Sequence, residues 1–401
     1  MTKKISYLKE VKETNKERQD YQEKIRRHKM SSVYRLLLVA VVILILVAVV
    51  YIQYQNHIYT SYELVSTNAF NSIEDSTTMR LGDNILTYSH DGAHCTNAKG
   101  EVLWNQTFEM QNILVATCED MVALADYNGR QIYVLDSTQK ISEISTTMPI
   151  RNITVAGNGR VAVVAADTKI TWIYIYEPDG TLAYEGKTTM GQSGYPVAFS
   201  LSPNGELLGQ AFAYVDAGVV KSRVAFYNFG AVGSNISDYI VTVDIYPDTI
   251  IPYISFLNED TAVAVGEDRM LVYKGAQKPV LQSQRLIEEE IQAVYHNDSY
   301  IGLLLHSDKL DMLNKMDVYQ CDSEAKVGTY YFNVDYDDIF FTENYFVAYD
   351  NMECIVQTYN GVEKFHGDFL SSTDLLYPIG KGKSYKFVQV SREYINTIQM
   401  K

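Results

Sequence analysis

The sequence predicts an all-β protein: a ring of four-stranded sheets, eight-bladed or alternatively seven-bladed, preceded by one transmembrane helix. Three observations predict it. A run of apolar, uncharged residues lies near the N-terminus. A polar turn followed by an apolar strand then recurs at a mean interval of about 43 residues. Each interval divides into four short strand-like runs separated by Asn, Asp or Gly.

The apolar run is "LLLVAVVILILVAVVYI", Leu36 to Ile52. Seventeen residues at a helical rise of about 1.5 Å span roughly 26 Å, near the minimum for a bilayer crossing. Tyr34, Tyr51 and Tyr54 stand where interfacial aromatics belong. A core helix of this length is seldom apolar on every face. Residues 1–35 hold 11 Lys/Arg against 5 Asp/Glu, and Arg26, Arg27, His28, Lys29 and Arg35 crowd the near flank. The far flank has no Lys or Arg until Arg80. This asymmetry predicts a cytoplasmic N-terminus and an extracellular C-terminal domain, a single pass of the cell membrane. The leader is too long for a cleaved signal peptide, and no small-x-small site follows it. The reading is therefore a basic cytoplasmic tail (1–35), a transmembrane signal anchor (36–54), a linker (55–61) and the ring (62–401). In the tail, Asp20 with Lys24 and Glu23 with Arg27 have the spacing of ion pairs on a solvated helix.

The whole chain has a formal charge of −15, which leaves −21 on the residues after the tail. An acidic body of that size repels phosphate backbones, so no nucleic acid partner is expected.

The repeat aligns at Ile85, Val122, Val161, Leu207, Ala262, Ile301, Phe346 and Phe387, with intervals from 37 to 55 residues. Four-stranded propeller blades have this period. The third unit reads "NITVAG", "RVAVVAAD", "TWIYIYE", "TLAYEGKT", and its continuous apolar second run suits a strand buried on both faces. Helical spacing is present at best near Arg285–Gln292. The last unit, "LLYPIG", "YKFVQV", "YINTIQM", is one strand short, while "YELVSTNAF", Tyr62 to Phe70, is a strand without a unit. Pairing the two closes the ring and removes a sheet edge. Alternation over those nine residues is expected to bury four or five side chains.

A second element recurs on the fourth strands. "NAKGEVLW", "EPDGTLAY" and "YNGVEKF" each place an aromatic residue four positions after Gly100, Gly180 or Gly361. The glycine supplies the positive φ of a hairpin turn, and the aromatic side chain is expected to pack on the neighbouring blade. In these residues the chain resembles the quinoprotein-like and WD40-like β-propellers, whose outer strands often read D-A-x-x-G-x-x-x-W. That resemblance implies a fold shared by quinone-dependent dehydrogenases and by non-enzymatic envelope scaffolds. The whole architecture resembles a family of single-pass membrane proteins of Gram-positive bacteria, with a basic tail, one anchor and a propeller-type ectodomain, known as a domain of unknown function.

Motifs that carry chemistry are sparse. "NVDYDDIFF", with Asp335, Asp337 and Asp338, lacks the Gly and distal Glu of a calcium loop. "YSHDGAHC" offers His90, His94 and Cys95 across a predicted Asp91-Gly92 turn, but no third ligand for a metal. Cys95, Cys118, Cys321 and Cys354 have no zinc spacing; three disulfide pairings are open, as are free buried thiols. "GQSGY", Gly191 to Tyr195, is neither a nucleophile elbow nor a phosphate loop. With only Trp104 and Trp172, the chain departs from a pattern of one docking Trp per blade. The 32 tyrosines suit either strand interiors or an aromatic binding rim. The sequence thus nominates no catalytic, cofactor-binding or metal-binding residue, and no ligand site. It predicts a binding or scaffold module for an envelope protein or cell-wall polymer. The alternative is a propeller-fold enzyme, a glycoside hydrolase or quinoprotein, whose residues it does not name.

Overall fold

A computed structural model describes residues 2–73, 75–167, 170–189, 194–323, 325–380 and 385–401. Side chains of the first helix are described at 20, 21, 23–30 and from 33 onward. Residues 191–193 of "GQSGY" and 382–384 of the last repeat lie outside the described residues. The chain divides into two units, Met1–Ile58 and Tyr59–Lys401.

The first unit is one α-helix, Thr2–Gln55. The charged tail and the apolar run form it without a break. The tail pairs are made: Lys24 Nζ lies 2.9 Å from Asp20 and Arg27 3.0 Å from Glu23. The stretch Glu23–Gln55 is long and apolar enough to cross a membrane.

The second unit consists of eight four-stranded antiparallel sheets. Blade 1 is Thr77–Leu81, Asn84–Ser89, Gly92–Thr96 and Val102–Thr107. Blade 2 is Ile113–Cys118, Met121–Asp126, Gln131–Asp136 and Lys140–Ser145. Blade 3 is Ile150–Val155, Val161–Ala166, Thr171–Tyr176 and Leu182–Thr188. Blade 4 is Tyr195–Leu201, Leu207–Asp216, Val219–Asn228 and Ile240–Tyr246. Blade 5 is Tyr253–Phe256, Thr261–Val265, Arg269–Lys274 and Val280–Leu286. Blade 6 is Ile291–His296, Tyr300–His306, Asn314–Gln320 and Lys326–Phe332. Blade 7 is Asp338–Phe341, Tyr345–Tyr349, Glu353–Thr358 and Glu363–Asp368. Blade 8 is Leu375–Pro378, Lys386–Val390 and Tyr394–Met400, completed by Tyr62–Ala69.

All eight aligned residues fall on second strands, which are largely buried; Val161–Ala166 and Thr261–Val265 are buried throughout. The 55-residue interval is an insertion within blade 4. Its second and third strands run ten residues each, and a 3₁₀ turn, Gly233–Asn235, precedes the fourth. Blade count is settled by the core. Among the described residues the buried apolar side chains form eight clusters, one at each junction of neighbouring blades, including blade 8 with blade 1. Seven blades are thereby excluded. No helix forms at Arg285–Gln292: the fourth strand of blade 5 runs to Leu286 and the next strand starts at Ile291.

The ring closes as predicted. Tyr62–Ala69 pairs antiparallel with the last strand, from Tyr62 opposite Met400 to Ala69 opposite Tyr394. Its burial differs from expectation. The middle of the strand is exposed, and only Tyr62 and Asn68 are half-buried, with Phe70 buried just beyond. The reason is position: it is an outer strand, and outer strands have no blade stacked across much of their surface.

The predicted turns are also present. Gly100, Gly180 and Gly361 have φ of 81°, 85° and 81°. A feature absent from the sequence pattern accompanies them. In blades 1 to 7 the pairing of third and fourth strands shifts by one residue near the end of the third strand, as between Cys95 and Thr96 or Val356 and Gln357. In blades 1, 3 and 7 the residue after the bulge is aromatic, and its side chain reaches the next blade. Trp104 Nε1 donates to the Asp136 carbonyl of blade 2 at 2.8 Å, Tyr184 packs on Phe229 and Tyr239 of blade 4, and Phe365 is buried against blade 8.

Candidate functional site

Antiparallel order sorts the loops onto two rims. Turns joining strands one to two and three to four share one rim. Turns joining strands two to three, together with the links between blades, share the other, called here the link rim. The first strands line the axis, and hydrogen bonds join them across blades. Ser200 Oγ of blade 4 accepts the Phe256 N–H of blade 5 at 3.1 Å. Ser255 Oγ of blade 5 lies 2.9 Å from His296 Nε2 of blade 6. Burial lowers the His296 pKa below its ordinary value, with the Asp298 charge partly opposing, so the imidazole is held neutral. This pair acts as a staple between blades.

At the first rim the axis opens into a polar pocket of about 790 Å³. Arg80 and Asp83 of blade 1, Thr117, Glu119 and Asp120 of blade 2, and His296 of blade 6 line it. Arg80 is already engaged: it lies 3.5 Å from Asp83, donates to the Gly82 carbonyl at 2.6 Å and stands 5.3 Å from the Tyr377 ring centre. The pocket brings carboxylates together, but no group of three or more potential metal-ligating side chains occurs among the described residues.

The candidate chemistry in the sequence is dispersed. His90 Nδ1 lies 2.9 Å from the Met110 carbonyl, whereas His94 sits on the third strand of blade 1 opposite Thr87 and Asn105. Burial lowers the His94 pKa. The Asp337 N–H donates to Tyr349 O, and Asp338 accepts from the Ile339 N–H, so the acidic stretch is a link between blades 6 and 7. All four cysteines are free thiols. Burial pushes Cys95 and Cys321 up to about 12 and Cys118 to about 11, and raises Cys354 further, with nearby carboxylates adding to the effect. Among the described residues the exposed tyrosines of the ring are Tyr127, Tyr195 and Tyr394, which stand on three different blades and form no single patch.

The link rim shows what the sequence did not single out. Leu310 is 106 % exposed and Leu370 81 %, with Leu313 and Met352 also uncovered. These four stand on loops of blades 6 and 7 and on the link to blade 8. Carboxylates flank the blade 6 pair along the chain: Glu288, Glu289 and Glu290 precede blade 6, with Glu289 reaching Lys315, and Asp308 and Asp311 share its loop. The sequence signal was "SDKLDML", a polar loop with apolar residues that no strand pattern accounts for.

An eight-bladed β-propeller preceded by a long apolar helix is the class of protein these features define. The chain belongs to a family of unknown function, DUF5711, whose model matches residues 55–400. No curated protein matches it. Among solved structures it is similar to BamB from Moraxella catarrhalis, at 10 % identity and a TM-score of 0.50, over 85 % of this chain and all of that one. It is also similar to Sqt1 from Saccharomyces cerevisiae, at 12 % identity and a TM-score of 0.52, over 86 % of this chain and 99 % of that one. Sqt1 from Chaetomium thermophilum, solved bound to the N-terminus of the ribosomal protein L10, matches at 12 % identity and a TM-score of 0.54, over 84 % of this chain and all of that one. At these identities the likeness is one of fold.

Proposed function

We propose that the chain is a single-pass membrane protein whose propeller lies outside the cytoplasm and acts by binding, as a docking or scaffold module for an envelope component. The observation that carries this reading is the set of large apolar side chains left uncovered on rigidly connected loops of adjacent blades, led by Leu310 and Leu370. Monomeric surfaces seldom leave such side chains grouped without a partner to cover them. A related fold, that of Sqt1, was solved with a polypeptide terminus bound, which supports a polypeptide as the kind of ligand. On this reading the chain is not an enzyme, and the axial Ser255–His296 pair is structural.

Two measurements test it. Protease added to intact cells or protoplasts digests the propeller and spares a tag at Met1; loss of the tag with survival of the propeller reverses the topology. Native electrophoresis of the gently solubilised full chain shows a stoichiometric complex with an envelope component. A chain that migrates alone under every mild condition overturns the binding role.

A further inference from the structure

We propose that the link rim of blades 5 to 7 is a docking surface for a cationic, amphipathic segment of another polypeptide. The inference rests on the binding-module reading and adds to it the surface and the chemistry of the partner.

The apolar anchors are held in place. The Met352 N–H donates to Asp350 at 2.6 Å, and the Met352 carbonyl accepts the Phe369 N–H at 2.6 Å, which sets Met352 beside the Leu370 loop. The Leu370 N–H donates to the Tyr62 hydroxyl at 2.7 Å. In blade 6, the Lys309 ammonium sits 3.4 Å from the Tyr331 ring centre, and the Tyr331 hydroxyl bonds to the Asp308 carboxylate; together they pin the loop that presents Leu310 and Leu313. Loops fixed before binding lose little entropy on binding, and uncovered Leu and Met side chains then serve as anchors.

Charge selects the partner. Among the described residues, the cations of this sector are engaged within it, including Arg285, which stands 5.0 Å from the Tyr319 ring centre. Lys315 Nζ lies 2.5 Å from Glu289, Arg269 contacts Asp248 and Asp268 at 3.1 and 2.8 Å, and Lys309 faces Tyr331. Glu288, Glu290 and Asp311 are exposed and have no ion pair among the described residues. The field around the anchors is therefore negative. A segment with apolar residues flanked by Lys or Arg matches both features. An anionic wall polymer or an acidic lipid would meet charge of its own sign, so the surface favours a protein over a polymer as the envelope partner.

The test places a photo-crosslinking benzoylphenylalanine at Leu310 or Leu370 of the full chain in its own membrane, with Val102 and Leu182 as control positions. Both controls are exposed apolar sites on outer strands of blades 1 and 3. Mass spectrometry then reads the attached peptide. The expected result is adduct at both rim positions about tenfold above the controls, on a peptide with net positive charge and interspersed apolar residues. Glu288→Lys with Glu290→Lys lowers the yield about fivefold or more while leaving the melting temperature unchanged, since both side chains are exposed. Adducts on lipid, on a polymer, or on a neutral or acidic peptide overturn the proposal, as does a yield indifferent to the charge reversal. Adducts at the controls but not at the rim move the surface and leave the binding-module reading standing. Adducts nowhere remove both.

Discussion

Closure of the ring draws its energy from the ends of the N-terminal strand. Phe70 is 8 % exposed and packs with Ile85 of blade 1 and with Leu375, Tyr377 and Val388 of blade 8. Phe70→Ala removes a buried aromatic side chain from the junction that joins the last blade to the first, at a cost of about 3–5 kcal/mol. Tyr62, at the other end, is half-buried. Its ring centre lies 6.4 Å from Phe365 and 6.5 Å from Phe369, and its hydroxyl accepts the Leu370 N–H. Tyr62→Ala therefore costs about 2 kcal/mol, from two edge-on aromatic contacts and one hydrogen bond. Leu64 and Val65, in the middle, are 52 % and 50 % exposed. Substituting either by Ala costs about 0.5 kcal/mol.

Urea unfolding of the solubilised full chain measures the ranking. Trp104 and Trp172 report on it, since both tryptophans lie in blades and none lies in the helix. With a urea slope near about 3 kcal/mol/M, Phe70→Ala lowers the midpoint by about 1–1.7 M, and Leu64→Ala by about 0.2 M. The reasoning is refuted if the two variants shift the midpoint equally, or if Phe70→Ala shifts it by less than about 0.3 M. Either result would mean that backbone pairing along the whole strand, rather than the side chain at its end, locks the ring.

Three further outcomes are expected. Gly100→Ala is more damaging than Gly361→Ala. Both impose a side chain on a left-handed backbone at about 1 kcal/mol, but a Cβ at Gly100 would meet the Ala69 carbonyl at 2.6 Å while one at Gly361 meets nothing within 4 Å; equal melting temperatures would refute this. Reductant and chelator leave the melt unchanged within about 2 °C, because a structural disulfide would contribute about 2–5 kcal/mol, and Cys95, Cys321 and Cys354, buried and held protonated, resist alkylation until the ring unfolds. Acid destabilises the ring through His94 and His296, whose pKa values burial lowers from 6.5. The unfolded chain then binds more protons, so their contribution is complete above 6.5 and is lost as pH falls through the folded values; the melting temperature falls less steeply with acid in a His94→Gln, His296→Gln variant than in the wild type, and identical slopes would exclude these groups.

What the sequence revealed follows from burial, and what it hid from register and exposure. Periodicity records burial. The second strands are buried on both faces, so Val161–Ala166 and Ala262–Val265 read as unbroken apolar runs, and the alignment through them found every blade. The interval that looked irregular is the blade 4 insertion, whose strands end in exposed Val215 and Val219 and so follow no core pattern. The bulges at the fourth strands were hidden for a different reason. They depend on register, and the residues skipped there, such as Leu103, Ala183 and Lys364, have nothing in common. The closing strand was located correctly but its burial was overestimated, because alternation shows that two faces differ, not that either meets a neighbour. The same limit conceals the proposed docking surface. Inference from sequence to core assumes that a leucine is inside, and it works because most are. Leu310 and Leu370 break that assumption, and only the folded ring distinguishes them from the leucines that obey it. In a fold whose core repeats eight times, the residues that individualise a protein are those that fall outside the repeat, which is why the search for its partner begins at the loops of blades 6 and 7.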